Sequence, residues 1–136
     1  MYDVERIEML MEDIEFYLNK LESLKIKNIK DMDDDKNLYS SSMLIFSAIN
    51  RSLDLAEQIV NDKSLGSPTQ YKEFFIILGK KKIISNETSE KMQDLIRKRN
   101  KISHRYGDIT KKEIFSSIDE VKIITKFIKE VKESIK

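Results

Sequence analysis

Apolar residues recur every three or four positions along almost the whole of this chain, and very little interrupts them. Val4, Ile7, Met11, Ile14, Leu18, Leu21 and Leu24 form the first such series. That spacing keeps one face of a 3.6-residue helix apolar, and it predicts a helix over about residues 3–29. A second series, Leu38, Ile45, Ala48, Ile49, Ser52, Leu55, Ala56 and Ile59, predicts another over about residues 35–61. Phe46 and Leu53 give this one a second apolar face, which suits a helix at the centre of a bundle or between core and partner. With Gly at 3 of 136 positions and Pro at one, the chain lacks the turn residues that an all-β fold needs.

Local signals divide what remains. The acidic stretch from Asp31 to Asp35 reads as a loop plus the charged first turn of the second helix, not as a metal site. Ser64 to Pro68 is a connection, with Ser67 and Pro68 as N-cap and N1 of a short third helix. That helix points Tyr71, Phe74, Phe75 and Leu78 inward, with Gly79 as the residue that ends it. A fourth helix starts near Asn86, with Glu87 and Glu90 in its first turn. It ends near Tyr106, where Gly107 can supply a left-handed cap. Thr110 and Glu113 match a capping box that opens a fifth helix, whose stripe is Ile114, Ile118, Val121, Ile124 (or Thr125), Ile128, Val131 and Ile135. The expectation is one all-α domain over residues 1–136, an antiparallel bundle of four to five helices.

Composition narrows the function. There is no Cys and a single His, so disulfides, thiolate metal sites and a multi-histidine site within one chain are excluded; no metal and no cofactor are expected. No apolar run reaches the roughly 18 residues of a membrane span, and MYDVERIEML lacks the form of a secretory signal. The expected location is the cytoplasm, with no membrane partner. The net charge is +1, yet residues 1–35 carry 11 acidic and 5 basic side chains, while residues 97–136 carry 12 basic and 6 acidic ones. A basic C-terminal third is compatible with a polyanionic partner and equally with a solvated Lys-rich surface.

The fourth helix carries the anomaly. Its stripe runs Met92, Leu95, Ile96, Ile102 and Tyr106, and the position that completes it is Arg99. A guanidinium there needs a partner inside the bundle, lines a cleft or interface, or snorkels to solvent. Asn50 and Asp54, four apart on the second helix, are the candidate partners. The lone His104 lies five residues on, about 140° around a regular helix, so the two share no face unless the helix ends or a second copy supplies a matching pair. Arg97, Lys98, Arg99, Lys101 and Arg105 form a cationic run. It would attract phosphates, and it would also complement the helix macrodipole.

Residues 99–106, RNKISHRY, fit the pattern R-N-x-x-x-H-x-Y, and on this the chain resembles the HepT-like proteins of the HEPN superfamily. LDLAEQIV at residues 53–60 resembles that family's second helix, and SPTQYKEFFIIL at residues 67–78 resembles the segment that precedes its signature helix. The resemblance implies a homodimer whose signature residues meet in a cleft at the dimer interface, and metal-independent RNA cleavage there. It implies Arg99 and His104 as catalytic residues and Asn100, Asp54 and Asn50 as supports, although Asn50 stands where an acid is expected. Arg97, Lys98, Lys101 and Arg105 would contact RNA. It further implies an MNT-type nucleotidyltransferase antitoxin that transfers AMP to Tyr106. Two other readings stand beside this: a non-catalytic HEPN module that binds nucleotide or a nucleotidyltransferase subunit, and a plain helical dimerisation protein.

Overall fold

A computed structural model describes residues 1–104 and 110–136, the side chains of residues 102–104 excepted. The described residues form α-helices and one 3₁₀ turn, with no strand: α1 (Val4–Ser23), the 3₁₀ turn (Ile29–Asp33), α2 (Asp35–Asp62), α3 (Tyr71–Lys80), α4 (Asn86–His104), α5 (Lys111–Glu120) and α6 (Ile123–Ile135). The all-α bundle expected from the periodicity is what forms. α1 lies along α2, α3 along α4, and α2 also meets α3, α4 and α5. α1 and α2 run antiparallel: the Asp3 amide at the start of one donates to Asp62 Oδ2 at the end of the other, at 2.8 Å.

The two-faced second helix takes the central place. Ile45, Ala48, Ile49, Leu55, Ala56 and Ile59 are fully buried, and so are Val60 and, nearly so, Leu53 on its other face. Phe75 of α3 meets Phe127 of α6 edge to face, with ring centroids 5.5 Å apart. Phe127 lies off the stripe read from the sequence, yet is fully buried.

Several boundaries differ from expectation. α1 stops at Ser23, six residues early, because Lys25 turns into the left-handed region (φ 53°) and Asp31 accepts the amides of Lys27 and Asn28. The acidic stretch is the expected loop and first turn: Asp34 caps α2 through the amides of Lys36 and Asn37. α3 starts at Tyr71, after Pro68, because Glu73 reaches back to the amides of Thr69 and Gln70. Gly79 lies inside α3, and Lys82 supplies the left-handed turn (φ 60°). A Cβ on Gly79 would stand 3.0 Å from the Cβ and Oγ of Ser89, so this glycine sets the close approach of α3 to α4. The fifth helix is two helices. At Val121 and Lys122 the bonds shorten to three-residue spacing, as at a 3₁₀ junction. Its stripe survives the break, with Ile114, Val121, Ile124, Ile128 and Val131 buried. The Thr110 cap of Glu113 forms as expected, and the Gly107 cap lies outside the described residues.

One side chain ties the start of α4 to α6. Glu130 accepts the Ser85 amide at 3.0 Å and the hydroxyl of buried Thr88 at 2.8 Å. Burial pushes its carboxyl up, but the Ser85 amide and the two hydroxyls outweigh that, so it titrates below the ordinary 4.5. A depressed folded pKa adds stability above the unfolded value that is lost as pH falls through the folded one. Glu130→Ala is therefore expected to cost about 1–3 kcal/mol near neutrality, the cost of orphaned donors. In urea denaturation series the gap from wild type should narrow as the pH is lowered below 4.5.

Candidate functional site

The buried stripe of α4 runs through Met92, Leu95 and Ile96, and Arg99 follows in line, half-buried. Helical spacing forces the guanidinium toward the bundle, so its neighbours must accept a cation. Two aromatic rings and two amides do so. The guanidinium carbon lies 5.6 Å from the Phe46 ring centroid and 5.1 Å from that of Tyr71. Its Nε donates to Asn50 Oδ1 at 2.8 Å, and Nη1 donates to Asn100 Oδ1 at 3.2 Å. Phe46 and Asn50 are four apart on α2 and so share a face. Tyr71 is the first residue of α3. Three helices thus converge on one side chain.

Both hydrogen-bond acceptors are neutral, and among the described residues no carboxylate pairs with Arg99. Cation–π contacts stabilise a guanidinium by about 0.5–2 kcal/mol each without cancelling its charge. The result is a fixed, half-buried and uncompensated cation at the edge of an open groove lined by Thr69, Gln70, Tyr71, Lys72, Arg97 and Asn100.

Its cationic neighbours differ. Arg97 pairs with Asp94 one turn back. Lys98 pairs with Glu120 at 2.9 Å and reaches Ser117 Oγ at 3.3 Å. Lys101 pairs with Glu113, whose carboxyl is held below its usual range chiefly by the Lys101 hydrogen bond. Arg97 is thus opposed within α4, and Lys98 and Lys101 are opposed from α5. Such partly exposed pairs contribute little individually, about 0–1 kcal/mol, so an anion of higher charge can displace their carboxylates.

The expected supports divide. Asn50 and Asn100 hold Arg99, whereas Asp54 pairs with Arg51 at 3.1 Å, and Arg51 also reaches Asp13 of α1 at 3.3 Å. Arg51 therefore ties α2 to α1, and Asp54 holds Arg51 from within α2. His104 is the last described residue of α4; its side chain lies outside the described residues, as do Arg105 and Tyr106. Two contributors escaped the sequence reading. Phe46 passed for second-face apolar filling, although its position one turn before Asn50 was a usable signal. Tyr71 was read as core and is 50% exposed; nothing local marks it, because its partner arrives from another helix. Among the described residues no cluster of three His, Asp or Glu could hold a metal, and no helix is long and apolar enough to cross a membrane.

Comparison with known proteins follows this geometry. The model of a family described as ribonuclease HepT-like matches residues 11–133. The fold is similar to that of YutE from Bacillus subtilis, a cytosolic protein of unknown function, at 18% identity and a TM-score of 0.85 over 98% of this chain and 92% of that one. It is also similar to a chain of a toxin–antitoxin structure with AMP-PNP, at 16% identity and 0.86 over 93% and 97%. A third likeness is to a chain of the tri-AMPylated Shewanella oneidensis HEPN toxin in complex with MNT antitoxin, at 17% and 0.86 over 98% and 99%. No curated protein matches.

Asn50→Asp would set an anionic acceptor on Arg99 Nε and should raise stability by about 0.5–1 kcal/mol near neutrality. A paired Asp titrates below its unfolded value of about 3.9, so the gain should vanish as pH falls under that value. Asp54→Asn, which loosens only the Arg51 pair, should change stability by less than about 0.5 kcal/mol. Urea midpoints of both variants beside wild type check this contrast.

Proposed function

The chain belongs to the HepT-like ribonuclease family, and on that footing we propose that it is a metal-independent RNA endonuclease, the toxin of a toxin–antitoxin pair acting in the cytoplasm. The observation that carries this reading is Arg99: a cation held by Phe46, Tyr71, Asn50 and Asn100 and, among the described residues, left without a carboxylate. A guanidinium fixed in that way suits a phosphodiester, whose oxygens it meets in bidentate fashion.

The chemistry follows from the two signature side chains. The RNA 2′-hydroxyl oxygen attacks the adjacent phosphorus while its proton passes to the His104 imidazole, whose reference pKa lies near 6.5. The bond from phosphorus to the 5′-oxygen breaks, and that oxygen takes a proton. The products are a 2′,3′-cyclic phosphate and a 5′-hydroxyl. Arg99 stabilises the charge that grows on the phosphoryl oxygens. Asn100 orients Arg99, Asn50 anchors it, and Asp54 stiffens α2 behind them through Arg51. Arg97, Lys98, Lys101 and Arg105 track the RNA backbone once phosphate replaces the carboxylates now paired to the first three.

A homodimer completes the site in this reading. Tyr39 (69% exposed) and Met43 (65%) continue through Phe46 to Asn50 at four-three-four spacing on α2. This uncovered apolar stripe runs up to Arg99, as expected of a face on which a second copy packs. The fold neighbours described as toxin–antitoxin and HEPN–MNT complexes support a nucleotidyltransferase antitoxin as further partner. Its action here would join the Tyr106 phenolic oxygen to the α-phosphorus of ATP, with pyrophosphate leaving. The added nucleotide would then exclude RNA by bulk and charge.

Purified protein in EDTA should cleave RNA to cyclic-phosphate ends. Loss of an acid–base group typically costs about 10²–10⁴-fold in rate, and His104→Ala is expected to fall in that range. Arg99→Ala should lose comparable activity while circular dichroism and sedimentation stay those of wild type. Absence of cleavage by protein that mass spectrometry shows to be free of adenylate would favour the non-catalytic module.

A further inference from the structure

Tyr71 stands apart from the other aromatic residues near the site. Phe46 is partly buried on α2, and Phe75 is fully buried against Phe127. Tyr71 opens α3 at the surface, half-exposed, with one face of its ring against the Arg99 guanidinium at 5.1 Å. It lines the same groove as Arg97, Arg99 and Asn100. Holding Arg99 needs only one ring face, and Phe46 already supplies a second aromatic contact to the cation. A structural role therefore leaves about half of the Tyr71 surface without use.

We propose that Tyr71 is a nucleobase-stacking residue: it receives the base of an unpaired nucleotide whose phosphate is held by Arg99. The argument is one of reach. In a nucleotide the base lies a few ångströms from its own phosphate across the ribose, the same scale as the 5.1 Å between guanidinium and ring. A phosphate on the guanidinium thus brings a neighbouring base to the exposed part of the Tyr71 ring. Every base offers a π face, so the subsite tolerates sequence, but it demands a base free to leave its helix, because a paired base in an A-form duplex presents no face to a side chain. The proposal rests on the reading of Arg99 as a phosphate site and adds to it a requirement for an unpaired base.

The test must separate stacking from the support that Tyr71 gives Arg99. A short oligodeoxyadenylate cannot be cut, for want of a 2′-hydroxyl, yet offers both phosphates and bases. An abasic deoxyribose-phosphate chain of equal length offers phosphates alone. Wild type should bind the first more tightly than the second, by about 5- to 150-fold for one stacked base. In Tyr71→Leu that preference should collapse toward unity, whatever the absolute loss from a loosened Arg99. In Tyr71→Phe, which keeps the ring, it should persist, and an unchanged circular dichroism spectrum shows that each variant folds. A preference that survives in Tyr71→Leu overturns the stacking role and leaves Tyr71 a support for Arg99, with the phosphate site intact. If wild type binds neither chain, both stacking and the phosphate site fail. The two failures are told apart by the abasic chain.

Discussion

A guanidinium on the apolar stripe of a helix has to be held without being neutralised, and much of this bundle is arranged around that requirement. A carboxylate facing Arg99 would stabilise the fold but would occupy the charge. The chain uses amide oxygens and aromatic faces instead. Neither cancels the charge, and neither competes with an incoming anion. Asn50 is the clearest instance: at 2.8 Å from Nε it occupies the place an acid would fill, and so it fixes the side chain while leaving its charge intact. The rest of the cationic run is treated in the opposite way, with Arg97, Lys98 and Lys101 each matched to a carboxylate. What looks in sequence like one basic patch is, among the described residues, one cation without a carboxylate partner beside three paired ones.

Placing that cation depends on how α4 is seated. Its start is clamped by Glu130 of α6 through the Ser85 amide and the Thr88 hydroxyl. Its next turn is drawn against α3, where Ser89 donates to the Phe75 carbonyl at 2.8 Å and Gly79 leaves room for the approach. These contacts lie at the end of the helix far from Arg99, yet they determine its rotation and hence which residue faces α2. The same closeness of α3 and α4 brings Tyr71 to the guanidinium. Packing at one end of the helix pair thus sets the chemistry available at the other.

The architecture was legible because helical periodicity is a local property. The stripes of α2 and of the C-terminal helices could be written down residue by residue, and Arg99 stood out as the break in its own stripe. Helix ends were less legible, for reasons that are also local but compete: Asp31 and Glu73 draw backbone amides into caps that displace the breaks suggested by periodicity and by Pro68. The partners of Arg99 were half legible. Asn50 could be found by asking what lies across from it, whereas Asp54 turns to Arg51, one turn away on its own helix. Tyr71 was not legible at all. A tyrosine in a run with Phe74, Phe75 and Leu78 reads as core, and only the crossing of α3 over α4 puts it at the surface beside a cation.

This division bears on how affinity and selectivity would arise in such a site. Displacing three surface carboxylates by phosphates exchanges one weak, screened contact for another, so those pairs would contribute chiefly a salt-dependent attraction shared by any polyanion. The half-buried cation is different, because its partners are rigid and its dielectric surroundings are lower. A phosphate at Arg99 would meet no carboxylate competitor among the described residues, and only a chain whose backbone can enter the groove beside Tyr71 would reach it. On the proposed reading, discrimination would come from access and from the base accommodated there, and general attraction from the surrounding lysines and arginines. A bundle with so small a net charge can therefore be selective for a polyanion without being a strongly basic protein.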